Sequence, residues 1–121
     1  MSKKTIKTNP MLNSLIHELK KHANENKAPI WKDIALRLEK SSRSWPVVNL
    51  DKIDRYTGEK ETALIPGKVL SNGEITKKIS IAAWSFSEKA EEKIKKSGSK
   101  HMTIEELMKY NPKGKDIRIL G

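Results

Sequence analysis

The chain has no cysteine, and its only aromatic residues are one Phe, three Trp and two Tyr. Without cysteine there can be no disulfide and no thiolate metal site, which is compatible with a reducing cytoplasm. No stretch approaches the ~18 successive apolar residues that a membrane-spanning helix needs. Residues 1–10 carry positive charge but no apolar segment follows them, so no secretory signal peptide is expected. Hydrophobic residues make up 36% of the chain, against the usual ~45–50%, so the core should be modest and the chain one small domain.

Catalytic motifs are equally scarce. Gly67-Lys68 lacks the phosphate-loop pattern, because Thr62 stands where that pattern needs its first Gly and Val69 replaces the required Ser or Thr. Neither Gly-x-Gly-x-x-Gly nor Gly-x-Ser-x-Gly occurs. His17 and His22 bracket Glu18 as in a zinc-protease helix, but the second His comes one residue late. At that spacing the two rings lie ~140° apart around the helix and cannot share a metal. His101 stands alone and fits a surface position near a helix cap. Glu88-Lys89 and Glu91-Glu92-Lys93 have the pattern of a solvated helix face, not of carboxylates held in a cleft. No enzyme, metal, cofactor or small-molecule substrate is expected.

Positive charge is what the chain has in excess. Lys and Arg number 25 against 15 Asp and Glu, giving a formal net charge of +10. Such a charge repels the compact state unless a polyanion offsets it, and nucleic acid is the commonest such partner. The charge is spread along the chain, with 13 basic and 7 acidic residues in 1–60 and 12 and 8 in 61–121.

The apolar pattern divides the chain in order. Residues 1–8 form a basic arm with Lys3, Lys4 and Lys7 and little to bury. Asn9-Pro10 starts a helix of about four turns, with Leu12, Leu15, Ile16, Leu19 and Ala23 on one face. Pro29 opens a second helix with Trp31, Ile34, Ala35 and Leu38 inward, which completes a helical hairpin. Ser41 to Pro46 is a loop, and Asn49 to Tyr56 a short third helix with Leu50 and Ile53 inward.

From Thr62 the period becomes that of strands. Ala63-Leu64-Ile65, a Pro66-Gly67 break, Val69-Leu70, the Asn72-Gly73 pair and Ile79 to Ala83 predict two strands joined by a tight hairpin turn. A helix follows Ser87, with Ala90 and Ile94 inward and Gly98 as its stop. Thr103 and Glu106 form a capping box for a last helix, with Met102 and Leu107 as its hydrophobic staple. Ile117 to Leu120 predicts a final short strand.

The basic residues that interleave with aromatics are the candidate nucleic-acid contacts. Arg43 and Trp45 share the Ser-rich loop; Lys52, Arg55 and Tyr56 share the short helix. Lys68, Lys77 and Lys78 sit at turns of the strand region, and Lys113, Lys115 and Arg118 form a C-terminal cluster. Arg and Lys bind phosphate, while aromatics can stack on unpaired bases. Each has a bland alternative: Trp45 can equally pack on its own domain, Trp31 belongs to the core, Trp84 and Phe86 anchor the strand-to-helix turn, and any single Lys can face solvent only.

These residues also carry a family resemblance. Lys68-Val69-Leu70-Ser71, Gly73, Ile75, Ile79, Ile81, Phe86-Ser87, Ala90, Ile94 and Gly98 stand at the spacings of a shared signature. Lys7-Thr8-Asn9-Pro10, Ala28-Pro29-Ile30-Trp31, Asn49-Leu50, Lys52-Ile53, Pro66-Gly67 and Asn111-Pro112-Lys113-Gly114 extend the match along nearly the whole chain. The chain thereby resembles the archaeal and eukaryotic large-subunit ribosomal protein family L-eighteen-e, a relative of the bacterial L-fifteen proteins. The resemblance implies an α+β fold: a basic helical N-terminal region (1–60) attached to a small irregular β-β-α core of the L-fifteen/L-eighteen-e type (61–121), in one continuous domain.

The core scaffold would then be Val69, Leu70, Ile75, Ile79, Ile81, Ala90 and Ile94. The implied role is a non-catalytic constituent of the large ribosomal subunit, located in the cytoplasm. Its partners would be ribosomal RNA and neighbouring ribosomal proteins, with no membrane. Two other classes stay open on the residues alone. A DNA-compacting or ribosome-assembly protein would share the charge, whereas membrane-surface binding is disfavoured because the helices mix Lys with Glu.

Overall fold

A computed structural model describes residues 9–121; the basic arm expected over 1–8 lies outside the described residues. Helix α1 spans Pro10–Asn26. Its start follows from Asn9, whose Oδ1 accepts hydrogen bonds from the Met11 and Leu12 N–H groups at 2.9 and 3.2 Å, and from Pro10, whose missing N–H costs nothing in the first turn. Leu12, Leu15, Ile16, Leu19 and Ala23 are all buried. Lys27 ends the helix in the left-handed region, with φ 52°. Helix α2, Pro29–Glu39, folds back against α1, and Lys20 Nζ reaches Glu39 Oε2 across the pair at 2.6 Å. A single 3₁₀ turn, Ser42–Ser44, leads to strand β1, Val47–Asn49, and helix α3, Leu50–Tyr56.

The remaining elements are β2 (Thr62–Leu70), β3 (Ser80–Phe86), α4 (Glu88–Lys96), β4 (Lys100–Thr103), α5 (Ile104–Tyr110) and β5 (Ile117–Ile119). The strands form one sheet in the order β1-β2-β3-β4, with β5 also on β2. Each pairing is parallel. Strand β2 is central: β3 lies along one edge, while β5 covers Thr62 to Leu64 and β1 covers Lys68 to Leu70 along the other.

Successive residues of the central strands point to opposite faces. Leu64 and Ala82 join a cluster with Leu19, Trp31, Leu38, Ile104, Leu107 and Met108 from α1, α2 and α5. Ala63, Ile65, Ile81 and Ala83 join a second cluster with Leu50, Ile53, Ala90 and Ile94 from α3 and α4. Helices therefore cover both faces, and the architecture is the expected mixture of helices and strands with a helical N-terminal region. Burial on both sides explains why these strands are runs of apolar residues with no polar alternation.

The strand pairing differs from the expected hairpin. Asn72-Gly73 does not reverse the chain; residues 71–79 cross over between the parallel strands β2 and β3. The connection buries its own Ile75 and Ile79 in the second cluster, which a two-residue turn could not do. Gly73 does take a positive φ of 93°, but for close approach: a Cβ there would lie 2.4 Å from Asp51 Cβ, where Asp51 N–H donates to Asn72 O at 3.0 Å.

Pro66-Gly67 likewise does not break the strand. β2 runs through it with a register shift between Ile65 and Lys68. A Cβ on Gly67 would sit 2.1 Å from Pro46 O, the same oxygen that accepts from Lys68 N–H at 3.0 Å.

Smaller differences follow from the same topology. Leu70, expected in the core, is half-buried at the end of β2, whereas Val69, Ile75, Ile79, Ile81, Ala90 and Ile94 are buried as expected. His101, expected at a surface cap, lies half-buried on β4 with its ring centroid 5.2 Å from that of Phe86. Strands β1 and β4 were not foreseen, being only three and four residues long. The caps of the last two helices form as expected. Ser87 Oγ accepts from Ala90 N–H at 3.2 Å, and Thr103 and Glu106 exchange backbone-to-side-chain bonds at 2.8 and 3.0 Å.

Candidate nucleic-acid interface

Helix α3 is only two turns long, so its position comes from its neighbours and not from its own propensity. Leu50 and Ile53 face the second cluster, which turns Lys52, Arg55 and Tyr56 outward as one ridge at i, i+3 and i+4. Tyr56 is 51% exposed, with the Arg55 guanidinium carbon 5.8 Å from its ring centroid. The 71–79 connection is tied down beside this ridge. Asn72 N–H donates to Asn49 Oδ1 at 3.1 Å, and Thr76 donates twice to the Asp54 carboxylate, at 2.9 and 2.8 Å. Lys77 Nζ donates to Thr57 O at 2.8 Å. Lys77 thus spends its ammonium on the end of α3, while Lys78 stays exposed.

A second patch adjoins β1. Arg43 is exposed in the 3₁₀ turn, and Lys68 projects from the irregular part of β2, with Val47 as its strand partner. Trp45 is not presented in the same way. It is half-buried, packs on the first cluster and meets Trp84 edge-on, with centroids 5.8 Å apart at 73°. This indole anchors the turn that carries Arg43.

The third patch is the C-terminal cluster. Trp31 Nε1–H donates to Pro112 O at 2.8 Å, which fixes the segment against α2. Gly114, at φ 70°, passes so close to Ile30 that a Cβ would lie 2.6 Å from its Cγ2. The Asn111 side chain brackets Lys115 through its backbone O and N at 2.8 and 3.2 Å. Lys113 and Lys115 are exposed, with Lys113 Nζ 3.5 Å from Asn26 O. Arg118 Nη2 lies 3.4 Å from Glu61 Oε2. The Gly58 N–H bonded to Glu61, together with the Arg118 and Lys77 charges, holds that carboxyl below its ordinary value, against a smaller opposing effect of burial.

Lys3, Lys4 and Lys7 lie outside the described residues. The other candidates therefore fall on three separate patches: the α3 ridge with its connection, the Arg43–Lys68 region, and the tail. One residue that organises them was not foreseen. Lys93 Nζ, from α4, donates to Ser71 O and Gly73 O, both at 2.9 Å, and pairs with Glu74 at 3.1 Å. Nothing in the local pattern around Lys93 points to a segment some twenty residues earlier. No group of three or more His, Asp or Glu side chains suited to a metal occurs among the described residues, and among them no helix is long and apolar enough to cross a membrane.

Fold and surface together define a small basic scaffold protein. The chain matches the family model described as Ribosomal protein 60S L18 and 50S L18e over residues 1–121, and it belongs to that family. It is 48% identical over 120 residues to the large ribosomal subunit protein eL18 of Methanoregula boonei, covering 99% of each chain. To the protein of the same name from Archaeoglobus fulgidus it is 47% identical over 114 residues, 94% of this chain and 97% of the relative. The Methanococcus maripaludis protein of that name is 47% identical over 119 residues, 98% and 99% of the two chains. The resemblance expected from the sequence is thus borne out.

Proposed function

We propose that this chain is a structural constituent of the large ribosomal subunit, without a catalytic role, and that it binds ribosomal RNA within the cytoplasmic ribosome. Membership of the ribosomal family along the full length carries the first part. The outward ridge of Lys52, Arg55 and Tyr56, on a short helix fixed by the tied-down connection, carries the second. Lys and Arg on the three patches neutralise phosphates where RNA helices approach one another, releasing counterions. Tyr56 offers a face to an unpaired base, and RNA shape supplies most of the specificity. Lys3, Lys4 and Lys7, with the loop and tail lysines, add further phosphate contacts. Neighbouring ribosomal proteins are the remaining partners.

Residues 1–60 and 61–121 act in this reading as one continuous domain. The first cluster supports that view, since it draws on Leu19 and Trp31 as well as on Leu64 and Leu107.

The test is salt dependence. Wild-type protein should bind large-subunit RNA with an affinity that falls steeply as salt rises. The Arg43→Ala, Arg55→Ala and Arg118→Ala variants should each reduce the slope of log K against log salt by about 1. An unchanged slope would show that these side chains touch no phosphate. A chain recovered on chromatin or in free pools, and absent from salt-washed large subunits, would favour a DNA-compacting or assembly role instead.

A further inference from the structure

The parallel topology gathers residues that are far apart in sequence. Thr62, Ser80 and Lys100 are level with one another across β2, β3 and β4, so the segments entering these strands end side by side. Lys60, Lys78 and Lys100 all belong to those entries, and all three are exposed. None of their ammonium groups has a hydrogen-bond or ion-pair partner among the described residues. Tyr110, the last residue of α5, stands at the same end of the sheet and is 80% exposed.

Tyr110 also lies between two clefts. One, of about 290 Å³, is lined by Lys60, Lys78, Gly98 and Lys100; the other, of about 500 Å³, by Lys95, Lys100 and His101; Tyr110 and Ser80 line both. The carboxylates nearby are mostly engaged. Glu61 accepts from Gly58 N–H and pairs with Arg118, and Glu106 accepts from Thr103 N–H, which leaves Glu59 and, at the β5 entry on the far side of Thr62 from β3, Asp116.

We propose that this end of the sheet is a single-stranded RNA subsite, in which one unpaired base stacks on Tyr110 and the flanking phosphates lie on Lys78 and Lys100. A single lysine at a strand entry is ordinary surface. Three level entries flanking an exposed ring with a cleft on either side supply the two things that unpaired RNA needs, a stacking platform and cations along the backbone. Duplex RNA fits poorly, because its bases are already stacked on one another and cannot be splayed onto the ring. The subsite rests on the RNA-binding reading above and extends it to a face separate from the α3 ridge.

The experiment uses the full chain and a short single-stranded oligoribonucleotide carrying 2-aminopurine, with the blunt duplex of the same sequence as control. Wild type and Tyr110→Phe should quench the 2-aminopurine of the single strand. Tyr110→Ala should lose most of the quenching, the remainder being what the Tyr56 face supports, and about tenfold in affinity for the single strand, while binding the duplex unchanged. The double variant Lys78→Gln, Lys100→Gln should keep the quenching at low salt and flatten the salt slope.

Equal quenching and affinity for Tyr110→Ala and wild type, with folded ribosomal RNA still bound in an Arg55-dependent way, would overturn the subsite alone. Failure of the wild type to bind folded ribosomal RNA at all would overturn the RNA reading and the subsite with it. Because Tyr110 is 80% exposed, its truncation leaves the fold intact and the comparison interpretable.

Discussion

The two faces of the sheet are held by different physics. On the face covered by α1, α2 and α5, large side chains do the holding: Leu19, Trp31, Ile34 and Leu38 are fully buried, together with Leu107 and Met108. On the face covered by α3 and α4, both helices are shorter than α1 and α2, and α4 contributes only Ala90 and Ile94 to the buried set. There a polar network restrains the 71–79 connection, through Asp54, Thr57, Asn49 and Lys93. The apolar face resists any change in volume. The polar-pinned face puts charged side chains at the surface in fixed places, and the α3 ridge is on it. Large side chains such as Leu50, Ile53, Ile65, Ile81 and Ile94 are buried on this second face too, so its polar network adds to a core and does not replace one.

The sharpest way to break this contrast is Trp31→Ala. It removes a fully buried indole and the bond to Pro112 O, so a loss of about 3–5 kcal/mol is expected. The loss should appear in one cooperative denaturant transition, with the tail freed as well. A loss under ~1 kcal/mol would mean that the face tolerates a cavity and that the contrast is wrong.

On the opposite face the expected costs are smaller. Gly73→Ala places a Cβ 2.4 Å from Asp51 Cβ at φ 93°, which should cost about 1–3 kcal/mol through local strain. The same variant would be nearly neutral if this Gly only closed a flexible turn. Lys93→Met is expected to cost about 1 kcal/mol, because Ser71 O and Gly73 O each lose a donor but lie near water. Amide exchange should then speed up in 71–79 and stay unchanged in α1. Uniform acceleration along the chain would show that Lys93 is no local pin.

The sequence revealed the apolar face better than the polar one, for a physical reason. Asn9-Pro10, Pro29, the Leu12 to Ala23 stripe and the Trp31 to Leu38 stripe are local signals, and each helix forms where its stripe and opening Pro place it. The strand pairing is non-local. Asn72-Gly73 is chemically suited to a hairpin, and nothing within a few residues of it reports that Ile75 and Ile79 must be buried beneath α3 and α4. The better clue was the unbroken apolar character of Ala63-Leu64-Ile65 and Ile81-Ala82-Ala83, which suits strands covered on both faces and fits an open hairpin poorly. The candidate contacts were legible as charge but not as geometry. Lys77 turned out to hold Thr57 O, and Trp45 to anchor its turn. The convergence of Lys60, Lys78 and Lys100 needed the parallel register before it could be seen.

The smallest effect concerns Glu61, which joins the tail patch to the turn before β2. Its carboxyl is held below the ordinary glutamate value by the Gly58 N–H first and by Arg118 next. A carboxyl depressed in the folded chain stabilises it fully above the unfolded value, where both states are ionised. That contribution fades as pH falls through the unfolded value towards the folded one. Because the group is open to water, the effect should be slight and weakened by salt. The measurement is denaturant stability of wild type against Glu61→Gln, followed from neutral to acid pH. Wild type should hold a small constant advantage at neutral pH that shrinks on acidification and vanishes once the carboxyl is protonated in both states. An advantage independent of pH would mean that Glu61 acts through packing alone and that Arg118 is unpaired in solution. In that case its full charge would be available to phosphate, as that of Arg43 is.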